Sequence, residues 1–84
     1  MTDLPSPSEL APIIVVVLDE LGGKAHFKDI EIAVAQHLNL EAELVKIVRS
    51  GKRTEFAYRM SWARTACKSK GLIRNLGKGI WEKA

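Results

Sequence analysis

Cysteine is nearly missing from this 84-residue sequence; Cys67 is the only one. An internal disulfide and a cysteine-built zinc site are therefore excluded, and a reducing, cytoplasmic setting is expected. Long apolar runs are missing too. The longest, Ile13 to Leu18, falls far short of the ~20 residues a membrane span needs. The N-terminus holds Asp3 and no basic residue, unlike a secretory or transit segment. The two histidines, His26 and His37, stand apart, so no metal site and no cofactor are expected. Aromatics are few, with two Trp, two Phe and one Tyr. They form no pair on an expected strand, which disfavours a single-stranded RNA binder. Gly77-Lys78-Gly79 lacks the frame of a phosphate-binding P-loop.

What is present is one domain's worth of chain with 46% hydrophobic and 27% charged residues. A chain this short buries only about 60% of its unfolded surface, enough for one small core. The net charge of +3 conceals an asymmetry. Residues 1–45 carry Lys24 and Lys28 against eight acids, whereas residues 46–84 carry eleven Lys or Arg against Glu55 and Glu82. Such a division points the C-terminal half towards a polyanion. The competing explanation is that the two halves pair with one another in the fold.

Residues 1–5 read as a flexible end and 6–84 as the folded domain. Ser6-Pro7-Ser8-Glu9 fits a capping box with Pro7 as the first helical residue; Ser8 is a rival cap. The first helix runs to about Leu21, with Leu10, Ile13, Ile14, Val17, Leu18 and Leu21 on one apolar stripe. Gly22-Gly23 stops it. Lys24 to His26 is a short extended piece. A second helix covers about Lys28 to Leu38, with Phe27, Ile30, Ala33, Val34 and Leu38 inward, and Asn39 closes it. Leu40 to Arg53 is hard to read, with a short helix within Glu41 to Val48 broken by Ser50-Gly51. The third long helix begins at the cap Thr54 and ends at Gly71. Leu72 to Asn75 and Ile80 to Lys83 are strands around a glycine-rich turn. That hairpin is too small to stand alone, and Ile73, Ile80 and Trp81 are available to pack it. Helix, extended piece, helix, loop, helix and hairpin make a mostly α, α+β winged-helix fold.

The third long helix carries the functional argument. With Phe56 at zero and about 100° per residue, Met60, Ala63 and Cys67 share its core face. From about 80° to 220° lie Arg64, Ala57, Lys68, Ser61, Thr65, Tyr58 and Ser69. Small residues interspersed with donors suit a helix entering the major groove of DNA. Lys52 and Arg53 precede it, and Arg74 and Lys78 follow on the hairpin. Arg64 is read as pointing outward. Arg59 is read as pairing with Asp19 or Glu20, Trp62 as sealing helix to hairpin, with stacking on an exposed base as its alternative, Trp81 as core, and Cys67 as a buried small hydrophobe.

The stretch from Arg53-Thr54 through Phe56, Arg59 and Trp62-Ala63-Arg64-Thr65, then Lys70-Gly71-Leu72-Ile73 and Gly79-Ile80-Trp81, resembles the N-terminal domain of Mrr-type restriction endonucleases. The resemblance implies a winged-helix DNA-binding module of a restriction system. Such modules are usually tethered to a metal-dependent nuclease domain and are often directed at modified DNA. No Asp or Glu here precedes a Lys by two positions, so the catalytic carboxylate–lysine signature of that nuclease is absent. An excised domain and a stand-alone relative both fit.

The expected activity is non-catalytic binding of double-stranded DNA. Lys52, Arg53, Thr54, Tyr58, Ser61, Arg64, Thr65, Lys68, Arg74 and Lys78 form the expected contact surface. A homodimer or a tethered nuclease would raise effective affinity. Arg64→Glu is expected to abolish most duplex binding with the fold intact. The rival is a winged-helix protein–protein interaction module.

Overall fold

The computed structural model describes residues 4–51 and 53–84. Its elements run α1 (Pro7–Glu20), β1 (Lys24–His26), α2 (Phe27–His37), α3 (Ala42–Val45), β2 (Val48–Ser50), β3 (Arg53–Thr54), α4 (Glu55–Ser69), β4 (Ile73–Gly77) and β5 (Ile80–Lys83). The fold is α+β and mostly helical, with two small antiparallel sheets among the described residues. Among the described residues no helix is long and apolar enough to cross a membrane.

Each long helix starts where a side chain can satisfy an orphan N–H. The capping box forms at Ser6. Its Oγ accepts from the Glu9 amide at 3.3 Å, and the Glu9 carboxylate accepts from the Ser6 amide at 3.4 Å. Thr54 Oγ1 accepts from the Ala57 amide at 3.0 Å and starts α4. The cap of α2 is His26, whose Nδ1 accepts from the Lys28 amide at 3.1 Å; imidazole is not among the usual capping groups. All three long helices end alike. Gly23, Leu40 and Leu72 amides donate back to Leu18, Ala35 and Cys67 carbonyls, while Gly22, Asn39 and Gly71 donate to Asp19, Gln36 and Lys68. This paired return is the Schellman arrangement, which needs a left-handed residue at its corner. Gly22, Asn39 and Gly71 supply it with φ of 94°, 53° and 75°.

The core lies between α1 and α4, closed by α2 and β4. Leu10, Ile14, Val17 and Leu18 meet Phe56, Met60, Ala63 and Cys67, with Ile30, Val34 and Ile73 filling the remaining sides. The Cys67 thiol donates to the Ala11 carbonyl at 3.2 Å, and burial pushes its pKa up, so it is a buried packing residue. Leu21 falls outside the expected stripe and is 40% exposed, because α1 has already ended at Glu20. Leu4 departs the other way. It sits in the expected loose end yet is buried, and Arg59 Nη1 donates to the Leu4 and Pro5 carbonyls. Residues 1–3 lie outside the described residues.

The larger sheet has the order β1-β5-β4. Extended Lys24–His26 is therefore a true strand, with Ala25 opposite Trp81 and His26 opposite Ile80. Lys78 and Gly79, at φ 55° and 80°, form a two-residue hairpin loop between β4 and β5 of the type whose twist matches the strands. Gly79 is also confined by space, since a Cβ there would lie 2.7 Å from His26 Nε2 and 3.0 Å from Phe27 Cδ1. The stretch 40–53 resolves into α3 and a second hairpin, β2–β3, with Val48 opposite Thr54.

Candidate nucleic-acid interface

Helix α4 has two polar flanks, and they differ. On one, Arg64 turns inward. Its side chain is 11% exposed, and Nη1 donates to Glu31 Oε2 of α2 at 3.3 Å. The guanidinium carbon lies 5.2 Å from the Phe27 ring centre and 5.8 Å from that of Trp81. Its Nε is buried without a hydrogen-bond partner among the described residues. Burial lowers the Arg64 pKa, opposed by the charge and hydrogen bond of Glu31; a guanidinium still stays protonated under any ordinary condition. The outward orientation expected for Arg64 is thus corrected. At about 80° from Phe56 on the helical wheel it borders the core face, and α2 and β5 cover that border.

The other flank is open. Thr65 and Lys68 are exposed, Ser61 is half-buried, and Lys68 makes no ion pair among the described residues. The Thr65 hydroxyl donates to the Ser61 carbonyl at 3.1 Å. Near the start of α4, the Arg49 guanidinium lies 3.6 Å from the centre of the Tyr58 ring and that of Arg53 lies 5.5 Å away. One turn on, Trp62 meets Tyr58 edge-on, with ring centres 6.3 Å apart and planes at 75°. Trp62 is 54% exposed, so it does not seal the helix to the hairpin. That seam is filled by Trp81 and Ile73, which pack with the core.

Glu55 would place a negative charge at the mouth of this flank. Two arginines hold it. Arg59 Nε donates to Oε2 at 2.8 Å, and Arg49 Nη1 donates to Oε1 at 2.9 Å. These hydrogen bonds, that of Arg59 foremost, keep the Glu55 carboxyl below its ordinary range, and the bond to Glu55 raises the Arg49 pKa. Arg59 therefore pairs within its own helix. Asp19, one of its expected partners, pairs with Lys83 at 3.0 Å instead.

The remaining expected contact residues spread around α4. Arg53 is exposed on β3, and the Thr54 side chain is occupied by its capping bond. Lys78 is exposed at the tip of the β4–β5 hairpin. Arg74 is exposed but tied to Glu82 on the neighbouring strand. Lys52 lies outside the described residues. Of the five ion pairs among the described residues, Arg64–Glu31 and Lys83–Asp19 join the acidic and basic halves, so part of the charge asymmetry is spent inside the fold. Arg49 escaped the sequence reading, and Trp62 departs from its expected sealing role. Arg49 was hidden by the unread hairpin, whose signal was Ser50-Gly51 between β-branched Val48 and Thr54. Trp62 sits at about 240° on the wheel, where geometry alone does not decide burial.

No curated protein and no solved structure matches this sequence. A family match covers residues 8–82, nearly all of the elements above and every residue of both flanks of α4. The chain belongs to the Mrr N-terminal domain family.

Proposed function

We propose that this chain is a winged-helix module that binds double-stranded DNA and serves as the non-catalytic recognition part of a restriction system. The element order and the β1-β5-β4 sheet support the winged-helix reading. In it α2 braces α4, and β4–β5 is the wing. The nuclease would be a tethered domain outside these residues, acting in the cytoplasm.

The observation that carries the reading is the open flank of α4. Ser61, Thr65 and Lys68 lie there, Lys68 outside any ion pair among the described residues, with exposed Arg53 before the helix and exposed Lys78 on the hairpin after it. Small side chains let the backbone approach a groove, while Lys and Arg reach phosphates and hydroxyls reach base edges. Neutralising Glu55 removes a charge that would repel the phosphates. Arg64 is not in this interface; it fixes α4 against α2 and β5.

Titration of the chain onto a duplex at rising salt tests this. Three phosphate contacts give a log–log slope of about −2.7. Absence of duplex binding at low salt would favour the second reading, a protein-interaction module, which draws on exposed Ile47 and Val48 at the start of the β2–β3 hairpin, 47% and 63% accessible.

A further inference from the structure

We infer that Trp62 forms a stacking site for one unpaired nucleobase of a DNA strand held along α4, an inference that rests on the DNA-binding reading. A large indole that is 54% exposed on a helix otherwise well packed on its inner side leaves apolar area in water that only a partner would cover. The chemistry of that partner follows from what surrounds it. Tyr58 meets the indole edge-on, at 75° between planes, and so braces its orientation without stacking on it. Tyr58 is itself engaged by Arg49 at 3.6 Å, which leaves Trp62 as the more open ring of the pair. Arg53 borders Tyr58 as well, its guanidinium carbon 5.5 Å from the ring centre, so two arginines stand beside the ring that braces the indole.

A flat apolar ring set against an arginine-bordered tyrosine fits a ligand that is planar, aromatic and attached to an anionic chain. That is a nucleobase on its phosphodiester backbone. Paired bases inside a duplex offer only their edges, so stacking on Trp62 requires a base outside the stack. The site therefore adds a structural preference to duplex binding: DNA with a displaced base over fully paired DNA. Stacking tolerates any base, because every base has a π face.

The test compares a fully paired duplex with the same duplex carrying one bulged nucleotide, at one salt concentration, for the full chain and for Trp62→Ala and Trp62→Phe. The wild-type chain is expected to prefer the bulged duplex by about tenfold. Trp62→Ala loses the preference and keeps its affinity for the paired duplex, and Trp62→Phe retains part of the preference. Quenching of tryptophan emission on binding the bulged duplex disappears in Trp62→Phe, where Trp81 still reports. Circular dichroism verifies that each variant is folded. Equal affinity of the wild-type chain for the two duplexes, or a preference that survives in Trp62→Ala, overturns the stacking site and leaves duplex binding standing. If neither DNA binds at low salt, the DNA-binding reading fails, and the stacking site with it.

Discussion

The two flanks of α4 use the same materials to opposite ends. Each has an arginine beside aromatic rings and a carboxylate within reach. Around Arg64, α2 brings Glu31 and Phe27, and β5 brings Trp81, so the charge is enclosed and its hydrogen-bonding capacity is turned inward. Around Tyr58 and Trp62, the β2–β3 hairpin brings Arg49 and Arg53 and leaves the indole open to solvent. A cation near an aromatic ring thus says little about role. What decides it is whether another element closes over the pair. The closed flank ties the helix to α2 and β5, and the open flank stays exposed.

The largest effect should come from breaking the closed flank. Arg64→Glu sets a second carboxylate beside Glu31 under the Phe27 and Trp81 rings. Leaving a buried charge unpaired costs about 3 kcal/mol or more, so chemical denaturation should show a large loss of stability and not an intact fold. Gly79→Ala comes next. It asks an L-residue to hold φ of 80° and drives a Cβ into His26 and Phe27, the latter a wall of the Arg64 site. Strain and displacement together should cost about 1–3 kcal/mol, read as a lowered unfolding midpoint. On the open flank, Lys68→Glu should move stability by less than about 0.5 kcal/mol while flattening the salt dependence of duplex binding by about one unit.

The smallest effect concerns acid. The folded-state pKa of Glu55 lies below its ordinary value, so its contribution is present above the ordinary carboxylate range and disappears as pH falls through the lowered folded value. Glu55→Gln should make unfolding less sensitive to pH in that acidic window, checked by thermal melts across the range. A pH profile identical to wild type would remove the Arg49–Glu55–Arg59 cluster from the account.

Much of the frame was legible in the sequence because local chemistry decides it. Ser6-Pro7-Ser8-Glu9 and Thr54 cap their helices as their side chains dictate, and the glycines after α1 and α4 end them. The heptad-like spacing of Phe56, Met60, Ala63 and Cys67 marks the buried stripe, because a helix has one periodicity whatever it packs on. The family resemblance rested on the same stretch and agrees with the match over residues 8–82. What stayed illegible depends on distant partners. Arg64 turns inward because Glu31, thirty-three residues earlier, faces it, and no wheel of α4 alone contains that information. Trp62 stays outside because the hairpin closes on Trp81 instead. The β2–β3 hairpin escaped because strands this short owe their existence to packing on α4, and the His26 cap because imidazole seldom plays that part.

In the proposed interface the open flank of α4, and not Arg64, would face DNA. Its most direct test is duplex affinity at fixed low salt for two folded variants. One reverses Arg53 and Lys68 to Glu. The other replaces the inward pair together, as Glu31→Gln with Arg64→Met, which leaves no charge stranded. The account predicts that the first loses about tenfold or more in affinity and about two units of salt slope, while the second binds as wild type. Full binding by the first and loss of binding by the second would contradict it.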